Sequence, residues 1–273
     1  MAATKLGILA GGGELPARIV AACEAEHRAY FIVALLGAAE PDLVSGRPHV
    51  WLHIGQAAAL LRVLRQNGVA EIVMAGAVKR PTWWSLRPDW PALKFYARIG
   101  RRAFRDDSLL RAAIHTIEAE GFRVVGAETL LHDMLAPVGP LGRILPDAAA
   151  LADIVIGLAA AREHGARDRG QAVVVQAGRV LAKEADAGTD DLIARVKSLQ
   201  AKGPGGVLVK TAKPGQERRA DLPTIGPRTV SACATAGLSG IAIEAGSTIL
   251  IDRDAIAVSA DHAGIFVIGV TVP

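Results

Sequence analysis

The stretch LGILAGGGELP, residues 6–16, decides the fold of the first half of the chain. It consists of a short apolar run, three glycines and a proline, Pro16, two residues further on. Proline suits the start of a helix, because its missing N–H would have had no partner there. The stretch therefore predicts a strand over Leu6–Ala10, a tight glycine turn and a helix. Free N–H groups at such a helix start attract phosphate, and glycines let the backbone approach it closely.

The glycines do not complete either of two familiar nucleotide signatures. The dinucleotide fingerprint needs a third spaced glycine, where Pro16 stands, and an acid at the end of the second strand, which reads Leu35-Leu36-Gly37. No Gly-Lys-Ser/Thr follows either, so a Walker phosphate loop is excluded. We expect the turn to contact a phosphate or nucleoside group other than NAD, and a bare tight turn stays open as the alternative.

Composition indicates an enzyme-like globular chain. Of 273 residues, 51% are hydrophobic and 21% charged, so a sizeable core is easily built. Cys23 and Cys233 lie far apart in the sequence, which is neither a disulfide framework nor a zinc spacing and suits a reducing cytoplasm. No apolar run approaches the roughly 18 residues of a membrane span, and we expect the N-terminal residues not to be a signal peptide.

The order of predicted elements indicates two α/β-type domains. Strands and helices alternate over residues 1–134, which predicts an N-terminal Rossmann-like domain with a parallel sheet. The proline- and glycine-rich residues 135–146 are interpreted as a linker. Residues 147–273 predict a C-terminal mixed α+β domain that carries the main catalytic loops. We expect several hairpins there, with a strand at AIAVSA, residues 255–260.

The densest chemical stretch is VKTAKPGQERRADLPTIGP, residues 209–227. Four cations surround Asp221, and they are Lys210, Lys213, Arg218 and Arg219. Cations on a loop held by glycine and proline suit a phosphate-bearing ligand. The aspartate should stay ionised among them, so it can hold a divalent metal or accept a proton from water. A solvated basic loop is the alternative interpretation.

Acidic residues cluster in EADAGTDDL, residues 184–192. Carboxylate oxygens suit Mg²⁺, which usually takes only one or two of them from a protein. The alternative is a helix start, in which Thr189 or Asp190 caps the helix and acids occupy its first turn. The two roles are compatible with each other.

The net charge of +4 is concentrated in one segment. Lys79–Arg105 holds eight basic residues and one acid, together with Trp83, Trp84 and Trp90. Basic residues interleaved with tryptophan favour an anionic ligand beside an apolar surface, such as a lipid headgroup. Nucleic acid is disfavoured, because no RNP, helix-turn-helix or zinc pattern accompanies the segment. A partly buried helix with solvated basic residues is the alternative.

Five blocks together resemble the LpxI family, the UDP-2,3-diacylglucosamine pyrophosphatases of lipid A biosynthesis. They follow the family's order as LAGGGELP, FRDDSLLRAA, GQAVVVQAGRVLAKEADAGTDDLI, VKTAKPGQERRADLPTIGPRTV and AGLSGIAIEAGSTILIDRDAI. The resemblance covers essentially the whole chain, and the later blocks are long and specific. It implies two domains that hold the lipid substrate between them. It also implies Mg²⁺-dependent hydrolysis to UMP and 2,3-diacylglucosamine 1-phosphate (lipid X), with water directed at the β-phosphorus.

The resemblance and the chemistry of the residues together give the expected site. The family's essential aspartate lies in an R-x-D-x-P block, which falls on Asp221 here. The expected catalytic residues are Asp221, Lys210 and Lys213, and the expected metal ligands are Asp221 and Asp190. The expected substrate-binding residues are Gly11, Gly12, Gly13, Lys79, Thr189, Gln216, Arg219 and Thr224.

The expected partners are a lipid nucleotide-sugar and an anionic membrane surface. We therefore expect a cytoplasmic protein that attaches peripherally to the inner membrane, and a homodimer stays open. Two other functions also stay open: a nucleotide-sugar-binding or transferase-like protein, and a non-catalytic lipid-binding adaptor. Mg²⁺-dependent release of UMP separates hydrolysis from both.

Overall fold

A computed structural model describes residues 4–78, 106–215, 217–219 and 222–272. The predicted membrane segment Lys79–Arg105 and two predicted site residues, Gln216 and Asp221, lie outside this range. The chain divides into two compact units. The first comprises Met1–His132 with Glu217–Asp221, and the second comprises Asp133–Gln216 with Leu222–Pro273.

The first unit is built on a parallel five-stranded sheet. Its strands are β1 (Leu6–Ala10), β2 (Tyr30–Leu35), β3 (His49–Leu52), β4 (Glu71–Ala75) and β5 (Arg123–Val125). They lie in the order β3-β2-β1-β4-β5, and all neighbours are parallel. The connecting helices are α1 (Leu15–Ala25), α2 (Ala57–Gln66) and α3 (Asp106–Ala119). Ligands commonly bind at the carboxyl edge of such a sheet where the strand order reverses, which here is between β1 and β4.

Apolar runs in the central strands explain the packing of this unit. β1 and β2 read LGILA and YFIVAL, and nearly all of their residues are buried, as expected for parallel strands covered by helices. Gly7 lets α2 come close to the sheet, because a Cβ at this position would lie 2.9 Å from Leu64 and 2.9 Å from Val69. The glycine in the middle of the strand therefore serves helix–sheet packing.

The second unit is built on a mixed six-stranded sheet. Its strands are β6 (Gly139–Pro140), β7 (Ala172–Gln176), β8 (Arg179–Lys183), β9 (Val207–Lys210), β11 (Gly240–Glu244) and β13 (Phe266–Val270), in the order β6-β13-β11-β9-β7-β8. A small parallel pair is formed by β10 (Thr224–Ile225) and β12 (Ile249–Leu250). The helices are α4 (Ala148–Ala166), α5 (Gly188–Val196), α6 (Pro227–Thr235) and α7 (Arg253–Ala263).

The α/β class, with a parallel first sheet and a mixed second sheet, is confirmed, but two details of the second half were wrong. The expected strand AIAVSA is part of α7, where Ile256 and Ala260 face the core from successive turns. Asp252 caps this helix by accepting the N–H of Ala255 at 3.0 Å. Among the residues described, β7 and β8 form the only hairpin; β9, β11 and β13 run parallel, with α6 and α7 between them.

Residues 135–146 belong to the second unit. Strand β6 pairs with β13, and the backbone N–H and the guanidinium Nε of Arg143 donate to Asp261 at 2.6 and 2.9 Å. Helix α4 then begins at Asp147, which accepts the N–H of Ala150 at 2.8 Å. No helix in the described part of the chain is long and apolar enough to cross a membrane.

Candidate active site

A buried lysine lies at the carboxyl edge of the second sheet. Strand β9 reads VLVK and ends in Lys210, which is only 6% exposed. The Lys210 ammonium donates to the hydroxyl oxygen of Thr189 at 3.2 Å and to the carbonyl of Thr224 at 3.1 Å. A buried charge is costly unless it is paired and hydrogen-bonded. The strand therefore delivers a cation to this edge, and two other elements supply its acceptors.

The carboxylate of Glu184 completes this arrangement. The Thr189 hydroxyl donates to Glu184 Oε1 at 2.5 Å, and the N–H of Gln171 donates to Glu184 Oε2 at 2.6 Å. The backbone carbonyl of Glu184 lies 2.7 Å from His164 Nε2. Glu184 is 7% exposed. A buried carboxylate and a buried ammonium thus share one threonine hydroxyl.

The local sequence explains why Glu184 takes this position. β7 and β8 form a hairpin around Ala177 and Gly178, and its register carries Glu184 back alongside the start of β7. Gly170 makes room for it, because a Cβ there would lie 2.9 Å from both Cβ and the carbonyl oxygen of Glu184. The φ of Gly170 is also +145°, which side-chain-bearing residues rarely adopt. The glycine is needed for both reasons.

Asp190 lies in the same electrostatic environment as Lys210. Burial raises the pKa of the Cys233 thiol on α6 to about 12; Lys210 opposes this rise and Asp190 adds to it. The two predicted site residues therefore influence one buried thiol with opposite signs. Asp190 itself is exposed in the first turn of α5, where its charge suits the helix N-terminus.

Lys213 belongs to a neighbouring ion pair in the second unit. Its ammonium lies 2.8 Å from Asp168, which follows α4 with a φ of 52°, and both side chains are mostly buried. The loop that carries Lys213 is also fixed one residue earlier. There the N–H of Ala212 donates to Glu244 at the end of β11, at 2.9 Å. The lysine is therefore held on a well-anchored loop.

Arg219 belongs to the first unit. Its guanidinium contacts Glu217 at 2.8 Å and Glu118 on α3 at 2.6 Å. The hydrogen bonds and charge of Glu217 raise the pKa of Arg219, and Glu118 contributes in the same direction. Arg219 in turn lowers the pKa of Glu217, so this carboxylate is ionised well below neutral pH. The arginine anchors its own loop to α3.

Two of the three predicted glycines make backbone contacts at the carboxyl edge of the first sheet. The N–H of Gly11 donates to Ala75 and that of Gly12 to Ala77, both at 2.8 Å. A Cβ at Gly11 would lie 2.7 Å from the Ala77 carbonyl oxygen. Gly13 differs, because its φ is +88° and no atom of the residues that the structure describes lies within 4 Å of the Cβ position. Gly13 is therefore the glycine beside open space.

The structure brings together Lys210, Thr189 and Thr224 and places the charge of Asp190 near them. Lys213 lies in a separate pair in the same unit, while Arg219 and the three glycines lie in the first unit. Three further predicted residues, Lys79, Gln216 and Asp221, lie outside the described residues. In the part of the chain that is described, no three or more His, Cys, Asp or Glu side chains form a group able to hold a metal ion.

Sequence reasoning missed the specific role of Glu184. The residue was one of several acids in its block, and spacing did not distinguish it from the others. One signal was available: pairing outward from the turn at Ala177 and Gly178 places residue 184 opposite residues 171 and 172. The hydrogen bond from Gln171 matches that register. The pairing of Lys213 with Asp168 and that of Arg219 with Glu118, by contrast, follow from tertiary structure and carry no such local signal.

Comparison with known proteins adds a full-length match. Family models described as the LpxI N-terminal domain and the LpxI C-terminal domain match residues 5–134 and 137–268. The chain belongs to the LpxI family. A relative from Caulobacter vibrioides, named UDP-2,3-diacylglucosamine pyrophosphatase LpxI, is 41% identical over 273 residues and is covered to 97%, as is this chain.

One solved structure, the UDP-glucose 4-epimerase of Thermus thermophilus with NAD, is 13% identical. It is matched over 99% of this chain and 86% of the epimerase with a TM-score of 0.34. A likeness at that level carries no conclusion about fold or cofactor for this LpxI family member.

Proposed function

We propose that this protein hydrolyses the pyrophosphate of UDP-2,3-diacylglucosamine to UMP and 2,3-diacylglucosamine 1-phosphate. The observation that carries the proposal is the 41% identity, across nearly the whole of both chains, to a relative named for that pyrophosphatase activity. The buried, hydrogen-bonded lysine at the carboxyl edge of the second sheet agrees with it. A pyrophosphate needs fixed cations to take up charge as its P–O bond breaks.

The proposed reaction is a single displacement at phosphorus. Water attacks the β-phosphorus, on the sugar side, and the bond from that phosphorus to the bridging oxygen breaks. UMP leaves with the bridging oxygen, and the attacking water gives up its proton. We assign Asp221 as the group that accepts the proton or holds the metal, and Lys210 and Lys213 as cations that stabilise charge on the phosphoryl oxygens.

We include Mg²⁺ in the proposal on the chemistry of the donor set. Mg²⁺ prefers oxygen ligands and usually takes one or two protein carboxylates together with substrate phosphates. Asp190, an exposed carboxylate near the charge of Lys210, is suited to such a role, and Asp221 is the second candidate. When bound, the ion would neutralise charge on the pyrophosphate. A site that draws on substrate oxygens does not require a cluster of three protein acids.

The test of the proposed function measures products and the position of the new oxygen. Purified protein is mixed with detergent-dispersed UDP-2,3-diacylglucosamine in H₂¹⁸O, with Mg²⁺ or with EDTA. We expect UMP and the lipid 1-phosphate only with Mg²⁺, and ¹⁸O in the lipid phosphate. Label in UMP would place the attack at the α-phosphorus instead. Binding of the nucleotide-sugar without release of UMP would favour a binding or transferase-like protein.

We further propose that Lys79–Arg105 attaches the protein to the cytoplasmic face of an anionic membrane. Each basic residue near such a surface contributes about 1 kcal/mol, an effect that salt weakens, and indole rings favour the headgroup level. Changing Arg98, Arg101 and Arg102 together to Ser should weaken co-sedimentation with phosphatidylserine-containing liposomes at low salt. Hydrolysis in detergent should stay near wild type. Unchanged liposome binding with lost detergent activity would assign the segment to the active site instead.

A further inference from the structure

We propose that Glu184, acting through the hydroxyl of Thr189, is a positioning residue for the Lys210 ammonium. This inference rests on the proposed function, because it assigns Lys210 the task of stabilising phosphoryl charge. Glu184 would not touch the substrate itself. Its part is to fix where the ammonium lies before the substrate arrives.

The direction of the hydrogen bonds follows from the donors each group has. An ammonium has only donors, an ionised carboxylate has only acceptors, and a hydroxyl has one donor and two acceptor sites. Lys210 therefore donates to Thr189 at 3.2 Å, and Thr189 donates its single proton to Glu184 at 2.5 Å. The carboxylate orients the hydroxyl so that a lone pair faces the ammonium. The carboxylate of Glu184 thus holds the Thr189 hydroxyl in place as a fixed hydrogen-bond acceptor for Lys210.

Thr189 consequently has a different role from the one expected from sequence. Phosphate oxygens at neutral pH act as hydrogen-bond acceptors, so a hydroxyl that binds them must donate. The one proton of Thr189 is already committed to Glu184. In this arrangement Thr189 links two charged groups and is not available as a donor to the substrate.

Burial explains why such a link is needed. The lysine ammonium is carried on a flexible four-carbon chain, so without fixed hydrogen-bond partners it would sample many positions. Here Lys210 is 6% exposed and is held by Thr189 from one side and by the Thr224 carbonyl from another. Preorganised charge of this kind avoids reorganisation at the moment of reaction. Glu184 is itself held by a hydrogen bond from the Gln171 N–H at 2.6 Å, so its carboxylate has a fixed position.

The experiment compares hydroxyl-retaining and hydroxyl-lacking variants under saturating substrate. Thr189→Val keeps the shape of threonine but removes the link, whereas Thr189→Ser keeps the hydroxyl. We expect Thr189→Val to lower kcat at least tenfold with little change in KM, and Thr189→Ser to stay within about threefold of wild type. Glu184→Gln should resemble Thr189→Val. The matched control is Glu163→Gln, an exposed i,i+4 partner of Arg167 on α4, which should leave kcat unchanged.

The outcomes separate this inference from the proposed function. If wild type releases no UMP, the proposed function fails and the inference fails with it. If wild type is active but Thr189→Val and Glu184→Gln keep its kcat with only a lowered Tm, the network is structural and the inference is wrong. Should Glu184→Gln not fold, the threonine pair decides alone: equal kcat for Ser and Val would overturn the proposal.

Discussion

The carboxyl edges of the two sheets are both suited to binding a ligand, but one is formed by main-chain groups and the other by side chains. In the first unit, the loops after β1 and β4 are joined by backbone hydrogen bonds involving Gly11 and Gly12, so the edge is made of main chain. In the second unit, the edge after β9 is made of buried side chains, chiefly Lys210 and Glu184. Both edges lie where parallel strands end, which is where α/β folds bind ligands.

The difference predicts two kinds of sensitivity to mutation. A backbone edge tolerates the loss of side chains but not the gain of a Cβ, because carbonyl oxygens already occupy that space. A side-chain edge tolerates small changes in shape but not the loss of one member of a charged network, since the partner is then left buried and uncompensated. Added side-chain atoms should therefore lower stability at the first edge, whereas loss of a charged group at the second edge should lower both stability and turnover.

The largest effect is expected at Asp221, an acid in the charged segment that follows β9 in the chain. Asp221→Ala should lower kcat by about 10³-fold or more, since it removes a general base or metal ligand. The measurement is steady-state release of UMP, with retained substrate binding checked separately. Asp254→Ala, an exposed acid in the first turn of α7, serves as the control. A variant that keeps more than about a tenth of wild-type turnover would contradict the assignment, because a tenth corresponds to only about 1.4 kcal/mol.

Within the backbone edge of the first sheet, we expect the largest loss of stability for a substitution at Gly76. Its φ is +90°, and a Cβ there would lie 2.5 Å from the Gly12 carbonyl oxygen. Backbone strain and overpacking each cost about 1–3 kcal/mol, so Gly76→Ala should lose about 2–5 kcal/mol of unfolding free energy in urea. The control is Gly264→Ala after α7, where φ is +69° but no atom in the described part of the chain lies within 4 Å of the Cβ position. Equal losses at the two glycines would show that close approach is unimportant.

These two edges also show how far the sequence predicted the fold. The first edge was predictable in outline, because an apolar run, a glycine turn and Pro16 are all local signals. The need for glycine at position 11 was not predictable, because the main-chain atoms that lie close to it belong to residues 76 and 77, far along the chain. The helix at residues 253–263 was mistaken for a strand, because AIAVSA fits either period when its capping residue Asp252 is overlooked.

The sequence predicted which residues belong to the site better than it predicted which of them hydrogen-bond to each other. Lys210, Thr189 and Thr224 were expected to contact ligand, and the structure shows Lys210 hydrogen-bonded to the Thr189 hydroxyl and to the Thr224 carbonyl. Charge clusters in sequence do not reveal which cation is satisfied by which acceptor, because that depends on strand order. Arg219 illustrates the point, since its partner Glu118 lies about a hundred positions away. The roles assigned to the residues outside the described ranges stay predictions.

A smaller effect is expected at Gly13, and it would sharpen the account of the backbone edge. Open space beside Gly13 is where a phosphate or nucleoside group could approach the chain. Gly13→Ala should raise KM by up to about tenfold while leaving kcat nearly unchanged, as expected for loss of uniform binding. Steady-state kinetics measure this directly. Tight binding of NADH to wild type, seen by fluorescence titration, would instead restore the dinucleotide interpretation.

The smallest effect concerns the two buried thiols, one in each unit. Burial raises the pKa of both Cys23 and Cys233, the latter to about 12. The folded chain thus holds the Cys233 proton more tightly than the unfolded chain does. This contribution to stability is present below the ordinary thiol pKa of about 8.5 and is lost as pH rises from there toward 12, by at most about 1.4 kcal/mol per pH unit.

The charges of the side-chain edge should modulate that loss at Cys233 alone. Asp190 raises the pKa of Cys233, so Asp190→Asn should lower that pKa and lessen the alkaline loss of stability that Cys233 causes. The measurement is urea unfolding from pH 8 to 12, because a change in the folded pKa alters stability only as the pH nears that pKa, with Cys233→Ser and Cys23→Ser each made in the wild-type and Asp190→Asn backgrounds. The pH slope assigned to Cys23 should not change, because Asp190 has no part in its pKa shift. An Asp190→Asn chain in which the Cys233 slope is also unchanged near pH 12 would show that the charge of Asp190 does not act on Cys233.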